Sequence, residues 1–434
     1  MKRSKKLVLS LCLIFALGAA FTACEFLPAN SGNPPTSDTQ SSSEDSSIGS
    51  TTDLPNFYYK KSDDGSYYIF TGANNATYVA IAADIDGIPV KEIAANAFPA
   101  DTWGVYIPAS VTKISPIAFQ DCSALTEIKV AEENTEFSTI DNNLYNKSGT
   151  ALLKYAGGKD AVSFTIPETV TEIGNCAFSY TPNLTEVLFH NDVVEFGSSI
   201  FQGSSVVKIR ATAEQFDCLP VKIFEDITIT SGAVLDYAFS DCNNLVAVTI
   251  LDGVESIGSQ AFAQCSSVVS VWIGESVTEI ADDAFEACTV TKVSVNKDVL
   301  TKFPLSQLKD VRLTGTGTLT GSTFYRCSVL EKLELCEGIT KLNGSAVNVC
   351  DNLKVVILPK SLQTVNKNGF NRCANIEAVY YNGSEADWSN IEINEENPHL
   401  VNPPRYYYSG ETPTENVDRF WHYDEHGEPV VWTA

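Results

Sequence analysis

What the sequence lacks narrows its identity first. None of its 12 cysteines is spaced C-x-x-C, so the close ligand pairs typical of structural zinc sites are absent. There is no G-x-S-x-G nucleophile elbow and no P-loop. Basic residues are scarce: 29 Lys and Arg stand against 54 Asp and Glu, a formal net charge of −25. That balance argues against nucleic acid as a partner, because phosphate binding needs clustered cations to displace counterions. Past the N-terminal segment, no apolar run reaches the ~18 residues that a membrane-spanning helix needs. Charged residues make up only 19% of the chain and hydrophobic ones 44%, which is enough for a packed core and excludes disorder throughout.

The first residues, "MKRSKKLVLSLCLIFALGAAFTAC", carry Lys2, Arg3, Lys5 and Lys6 and then an apolar run from Leu7 to Ala23, the layout of a secretory signal. Phe21-Thr22-Ala23-Cys24 resembles the lipobox of bacterial lipoproteins, which implies residues 1–23 as signal peptide and Cys24 as the lipidated residue. Phe21 departs from the aliphatic residue usual there, and an ordinary cleaved signal or an uncleaved anchor are the other readings. Residues 24–54 are rich in Ser, Thr, Pro, Gly and Asp. Such a segment buries too little apolar surface to offset its ordering entropy, so it is expected to be a flexible tether with a reach of about 30 Å.

The rest is organised by repetition. The motif I-x-x-x-A-F places Phe at 98, 119, 178, 201, 239, 262, 285, 324 and 370, with Val347 in the same place between the last two. The unit is 23 residues, and the interval is longer after Phe119, Phe201 and Phe285. A period in the twenties signals a solenoid whose coils are stable only when stacked. Within a unit, Leu245-x-x-Val248-x-Ile250 alternates with period two and is rich in β-branched residues, hence a short strand with one buried face. Val254-x-x-Ile257 and Ala261-Phe262 then lead back across the coil, with Gly and Pro supplying corners, as in "IPASV" and "IPETV". Strands ending near Ile81, Ile107, Val130, Ile166, Phe189, Ala211, Ile229, Ile250, Ile273, Val295, Leu313, Leu335, Leu358 and Tyr381 predict about fourteen parallel turns, roughly 65 Å of sheet. The intervals after Phe201 and Phe285 align with each other through Pro220 and Pro304 and read as pairs of shortened coils. The interval after Phe119 holds "NNLYNKSGTALLKYAGG", an inserted hairpin at about residues 141–158.

The units "IPETVTEIGNCAFSYTPNLTEVLF", "DGVESIGSQAFAQCSSVVSVWI" and "GESVTEIADDAFEACTVTKVSV" resemble the BspA-like leucine-rich repeats of bacterial surface proteins. The resemblance covers about residues 79 to 390. It implies a mostly β, leucine-rich-repeat solenoid with short helical turns opposite its parallel sheet, an extracellular location, and adhesins as relatives with an assigned role. It implies no catalytic residue and no cofactor. The expected organisation is an N-terminal cap and first coil at 55–92, the solenoid at 93–381, and a C-terminal cap with an aromatic hairpin at 382–434.

Several constellations could carry chemistry. Cys122, Cys242, Cys265, Cys288, Cys327, Cys350 and Cys373 each follow the Phe position by three residues. The expected role is a small, nearly apolar side chain filling the same gap in every coil, though export would also permit disulfides. "HYDEH", from His422 to His426, matches H-x-x-E-H, but Gly427 and Pro429 follow directly, so a turn is expected rather than the zinc-binding helix. "GTGTLTG", from Gly315 to Gly321, is a turn inside a repeat rather than a dinucleotide fingerprint. His190 and His399 have no evident partners.

The candidate ligand surface is the column of residues between the buried positions of each strand: Lys129, Leu188, Arg210, Thr249, Trp272, Ser294, Glu334, Ile357 and Tyr380. Solenoids present such columns as extended surfaces, and Trp272 and Tyr380 are of the type enriched at recognition hot spots. The candidate ligand-binding residues are therefore Trp272, Tyr380, Ile357, Leu188, Thr249 and Arg210. The expected function is non-catalytic binding or adhesion by a monomeric, membrane-anchored lipoprotein at the cell surface. Its ligand would be a host or bacterial surface protein or a glycan. A secreted hydrolase using the C-terminal segment, or a structural envelope component, are the alternatives.

Overall fold

The computed structural model describes residues 56–433; the proposed signal peptide, Cys24 and the tether lie outside the described residues. The chain divides into two compact units, whose described parts are residues 56–289 and 290–433. The sheet path counts fourteen strands, six in the first unit and eight in the second, and the fold is a mostly β solenoid of stacked coils. All fourteen strand ends expected from the repeat coincide with strands or with the residue just after one.

The first unit opens with an antiparallel hairpin, Asn56–Lys61 against Tyr68–Asn74, turned at Gly65 with φ +70°. Three parallel strands follow, Tyr78–Ala80, Gly104–Ile107 and Glu127–Val130. The inserted segment begins at Phe137, earlier than its turn signals suggested. Phe137–Ile140, Asn143–Asn146 and Ala151–Lys154 pair antiparallel in succession. This separates the three-stranded sheet from the long one, whose strands here are Ser163–Thr165, Glu186–Leu188, Lys208–Ala211, Asp226–Ile229, Ala247–Ile250 and Ser270–Ile273. In the second unit the ladder runs Lys292–Asn296, Asp310–Thr314, Lys332–Leu335, Val355–Leu358, Ala378–Tyr381, Arg405–Tyr408 and Phe420–Tyr423, all parallel, and ends with Pro429–Val431 antiparallel to its neighbour.

The core is a set of columns, each built by one repeat position. Phe239, Phe262 and Phe285 stack with ring centroids 4.9 and 5.0 Å apart and planes within 4° of parallel. That spacing is the distance between neighbouring strands, so the backbone ladder sets the ring separation. On both sides of Phe178, Phe239, Phe262, Phe324 and Phe370 the chain turns through left-handed residues, such as Gln260 (φ +51°) and Gln264 (φ +61°) around Phe262. Short helical turns occur at Ala213–Phe216, Val221–Ile223 and Leu300–Lys302. The first is fixed by a capping box between Thr212 and Gln215. The Gln215 amide also donates to the His190 and Val193 carbonyls of the preceding coil, at 2.8 and 2.9 Å.

The ladder cysteines are buried thiols, and several have a second use besides filling space. The Cys265 S–H donates to the Phe239 carbonyl, Cys288 to Phe262 and Cys350 to Phe324, each at 3.0 Å. Cys373 donates to the carbonyl of Val347, the residue standing in for Phe, at 3.3 Å. The carbonyls of Phe239, Phe262 and Phe324 thus each accept the cysteine N–H of their own coil and the cysteine S–H of the next. A weak donor on an apolar body suits an acceptor that is already partly satisfied. Burial pushes the Cys122 thiol up to about 12, so it stays protonated.

One buried cation breaks the apolar pattern. Lys154, 3% exposed, donates to the Ser179 carbonyl at 2.7 Å and to Ser179 Oγ at 2.9 Å, with no carboxylate among these partners. Burial lowers its pKa from 10.5 to about 8. The penalty on the charged form is therefore full below about pH 8 and fades toward pH 10.5, as the unfolded lysine also loses its proton. The Lys154 contribution to thermal stability should rise across that window, by about 3 kcal/mol in the limit. Lys154→Met should be more stable at pH 7 and show a smaller rise with pH; parallel melting-temperature curves for the two proteins would contradict this.

A second outcome follows from the turns. Val349 is β-branched yet sits at φ +60°, a conformation that strains L-residues and suits glycine. Val349→Gly should leave stability unchanged or raise it by about 1 kcal/mol. Val365→Gly, in a strand at ordinary φ, should lower it on the same melting scan.

Candidate functional site

Parallel pairing in strict register forces equivalent residues into lines across the strands. In the first unit Val187, Ile209, Ile227, Val248 and Val271 point inward and are buried. The residue after each points outward: Leu188 pairs with Arg210, Arg210 with Thr228, Thr228 with Thr249, and Thr249 with Trp272. The structure therefore brings Leu188, Arg210, Thr249 and Trp272 together on one face, with Arg210 exposed and the others partly exposed. Thr228 belongs to the same column but was missing from the sequence-derived set. Its strand was recognisable in "ITIT", so alignment of the shortened coil would have supplied it. A second line beside this column alternates in sign, and Lys208 lies 3.9 Å from Asp226.

The second unit corrects the other two candidates. Its outward positions are Ser294, Arg312, Glu334, Ile357 and Tyr380, and the C-terminal strands bury Glu334 and Ile357. Ile357 is fully buried, not exposed. Tyr380 is only partly exposed: it stacks on Tyr406 at 5.4 Å and meets the Trp421 ring edge-on at 5.4 Å. Trp421 is itself 0% exposed and donates its indole N–H to the Tyr381 carbonyl at 3.0 Å. The Tyr423 hydroxyl donates to Glu334 at 3.1 Å, and the same carboxylate oxygen accepts from Arg312 Nε at 3.0 Å. Glu428, just before the last strand, pairs with Lys332 and lies 3.8 Å from Lys292. Burial and the Glu334 charge push the Tyr423 phenol upward. The hairpin turns a potential binding face into a second small core. Arg312, also absent from the sequence-derived column, is one of its fixed points.

The H-x-x-E-H segment spans a strand and a turn rather than a helix. His422 lies in Phe420–Tyr423, with its ring 3.9 Å from that of Trp432, while the exposed His426 is in the turn beside Glu425. Among the described residues, no group of three or more His, Cys, Asp or Glu could hold a metal ion. Gly315 and Gly317, at φ +97° and +84°, form a turn and the start of the short strand Gly317–Leu319. His190 Nε2 lies 3.0 Å from the Pro167 carbonyl, a structural contact. No helix among the described residues is long and apolar enough to cross a membrane.

If the covering hairpin depends on Trp421, Trp421→Ala should free it. The expected result is a several-degree drop in melting temperature, with faster amide exchange in Phe420–Tyr423 and Pro429–Val431 than in Ala247–Ile250. Unchanged exchange in the hairpin would show that Trp421 does not hold it.

Residues 65–154, 154–234, 232–313 and 302–391 match the BspA type leucine rich repeat region, in six copies. No curated protein matches the sequence. Among solved structures, the chain is similar to a leucine rich cell surface protein from Faecalibacterium prausnitzii, at 19% identity over 77% of this chain and 96% of that one, with a TM-score of 0.29. It is also similar to a leucine-rich repeat protein from Bacteroides ovatus, at 18% identity over 81% and 92%, with a TM-score of 0.33. Family membership rests on the repeats. Those matched repeats run from residue 65 to residue 391 of 434. With the motif, the period and the stacked coils in agreement over that span, the chain belongs to the BspA type leucine-rich-repeat family.

Proposed function

We propose that this is a non-catalytic surface-binding protein that recognises a protein ligand through the outward column Leu188, Arg210, Thr228, Thr249 and Trp272. It would be held at a bacterial membrane by a lipid on Cys24 and spaced from it by residues 24–54. The observation that carries this reading is a contrast between coils at one repeat position. The column is left open in the strands from Glu186 to Ile273, while in residues 290–433 the chain's own hairpin buries Glu334 and Ile357 at the equivalent positions and packs against Tyr380. An open row that combines an arginine, an aromatic and small hydroxyl side chains has the composition of a recognition surface. The C-terminal segment, the place for a hydrolase on the alternative reading, has Trp421, Tyr423 and Glu428 engaged in holding the fold.

The test is capture by crosslinking from host-cell and bacterial surface extracts with the full chain, followed by affinity measurement on the captured protein. Arg210→Glu combined with Trp272→Ala should weaken binding about 10-fold or more, with the melting temperature preserved. Equal affinity of the double variant and the parent would refute the assignment of this face.

A further inference from the structure

The three-stranded sheet near the N-terminus carries a second, different surface. Val79, Val105 and Ile128 face inward and are 0% exposed. Facing outward, Tyr78 pairs with Gly104 and Gly104 with Glu127, while Ala80 pairs with Tyr106 and Tyr106 with Lys129. The glycine at the centre is what shapes the surface. A Cβ on Gly104 would lie only 2.6 and 2.8 Å from two ring carbons of Tyr78, so the tyrosine ring lies across the strand in the space a side chain would fill. Trp103, 44% exposed, stands beside it with ring centroids 5.0 Å apart and planes inclined by 45°. Tyr106 is 37% exposed on the neighbouring outward position. Glu127, 2.7 Å from Lys129 Nζ, approaches the same central point, 3.8 Å from the Cβ position of Gly104. Burial first and Glu127 next raise the Tyr78 phenol while Lys129 lowers it, which places both charges around the ring.

We propose that Tyr78, Trp103, Tyr106, Glu127 and Lys129 form a binding site for a neutral glycan. A sugar ring has one flat face of C–H groups and a rim of hydroxyls that both donate and accept hydrogen bonds. The Tyr78 ring supplies a flat apolar face, and the inclined Trp103 supplies a wall beside it. Glu127 is placed to accept from hydroxyls and Lys129 to donate to them. Their charges cancel, so the site selects neither anionic nor cationic ligands. A ring lying over a glycine also shields the strand beneath it, but that role involves Tyr78 alone. It accounts neither for the exposure of Trp103 and Tyr106 nor for the ion pair at the border. This site shares no residue with the column from Leu188 to Trp272, so either assignment can fail without the other.

The test is titration of the full chain with cellohexaose, chitohexaose, xylohexaose, mannohexaose and maltohexaose, with polygalacturonate as the acidic control. At least one neutral oligosaccharide should bind with a Kd below about 1 mM and change the tryptophan fluorescence. Trp103→Ala and Tyr106→Ala, both at exposed positions, should each weaken that binding about 10-fold with no change in melting temperature. Gly104→Ala, which displaces the Tyr78 ring, should weaken it too. Tyr325→Ala, an exposed tyrosine on a turn of the second unit, should not. Absence of binding to every neutral probe, preference for polygalacturonate, or binding that survives Trp103→Ala and Tyr106→Ala would each overturn the proposal.

Discussion

The rest of the structure depends on coil-on-coil pairing at the spacing of parallel strands. Once neighbouring backbones are hydrogen-bonded in register, every inward position meets its own counterpart about 4.8 Å away. Only side chains that pack well against copies of themselves then suit the interior. Phenylalanine does so in the stack of Phe239, Phe262 and Phe285, separated by 4.9 and 5.0 Å. Cysteine adds a thiol that bridges to the Phe carbonyl of the coil before it. The constraint reaches the backbone as well, since non-glycine residues on both sides of Phe239 and Phe262 accept left-handed conformations to place the ring.

The same pairing frees the outward positions. They are aligned by the ladder but make no contribution to the interior, so they vary from coil to coil: Leu188, Arg210, Thr228, Thr249, Trp272. In the second unit the chain uses that freedom for itself. Ile357 and Tyr380 lie under a hairpin whose Trp421 is as buried as any core residue. In the three-stranded sheet, a glycine at one outward position lets an aromatic ring lie flat. One scaffold thus yields three outward surfaces, and they differ only in what fills the positions that do not stack.

The interior was legible in the sequence because it repeats. Period-two alternation located all fourteen strand ends, and even Val347, which breaks the Phe series, was assigned correctly: its carbonyl receives the Cys373 thiol as the Phe carbonyls receive theirs. The covering of Ile357 and Tyr380 was not legible in the same way. It depends on Lys332 meeting Glu428 and Glu334 meeting Tyr423, contacts between residues about ninety apart with no periodicity to announce them. One local sign existed: an isoleucine at an outward position asks for a cover. Thr228 and Arg312 were missed for a different reason: their strands were placed, ending at Ile229 and Leu313, but the second coil of each shortened pair was left out of the column. Tyr78 escaped notice because Gly104, its partner across the sheet, carries no side chain to mark the column.

The central claim is that equivalent outward positions are open in the column ending at Trp272 and closed beneath the hairpin that carries Trp421. Hydroxyl-radical footprinting of the intact protein, with peptide-level mass spectrometry, tests this directly by comparing residues of one chemical type. Trp272 should be oxidised readily and Trp421 protected, and Ile357 should stay unmodified until the protein unfolds. Comparable oxidation of Trp421 and Trp272 in the folded protein would contradict the account.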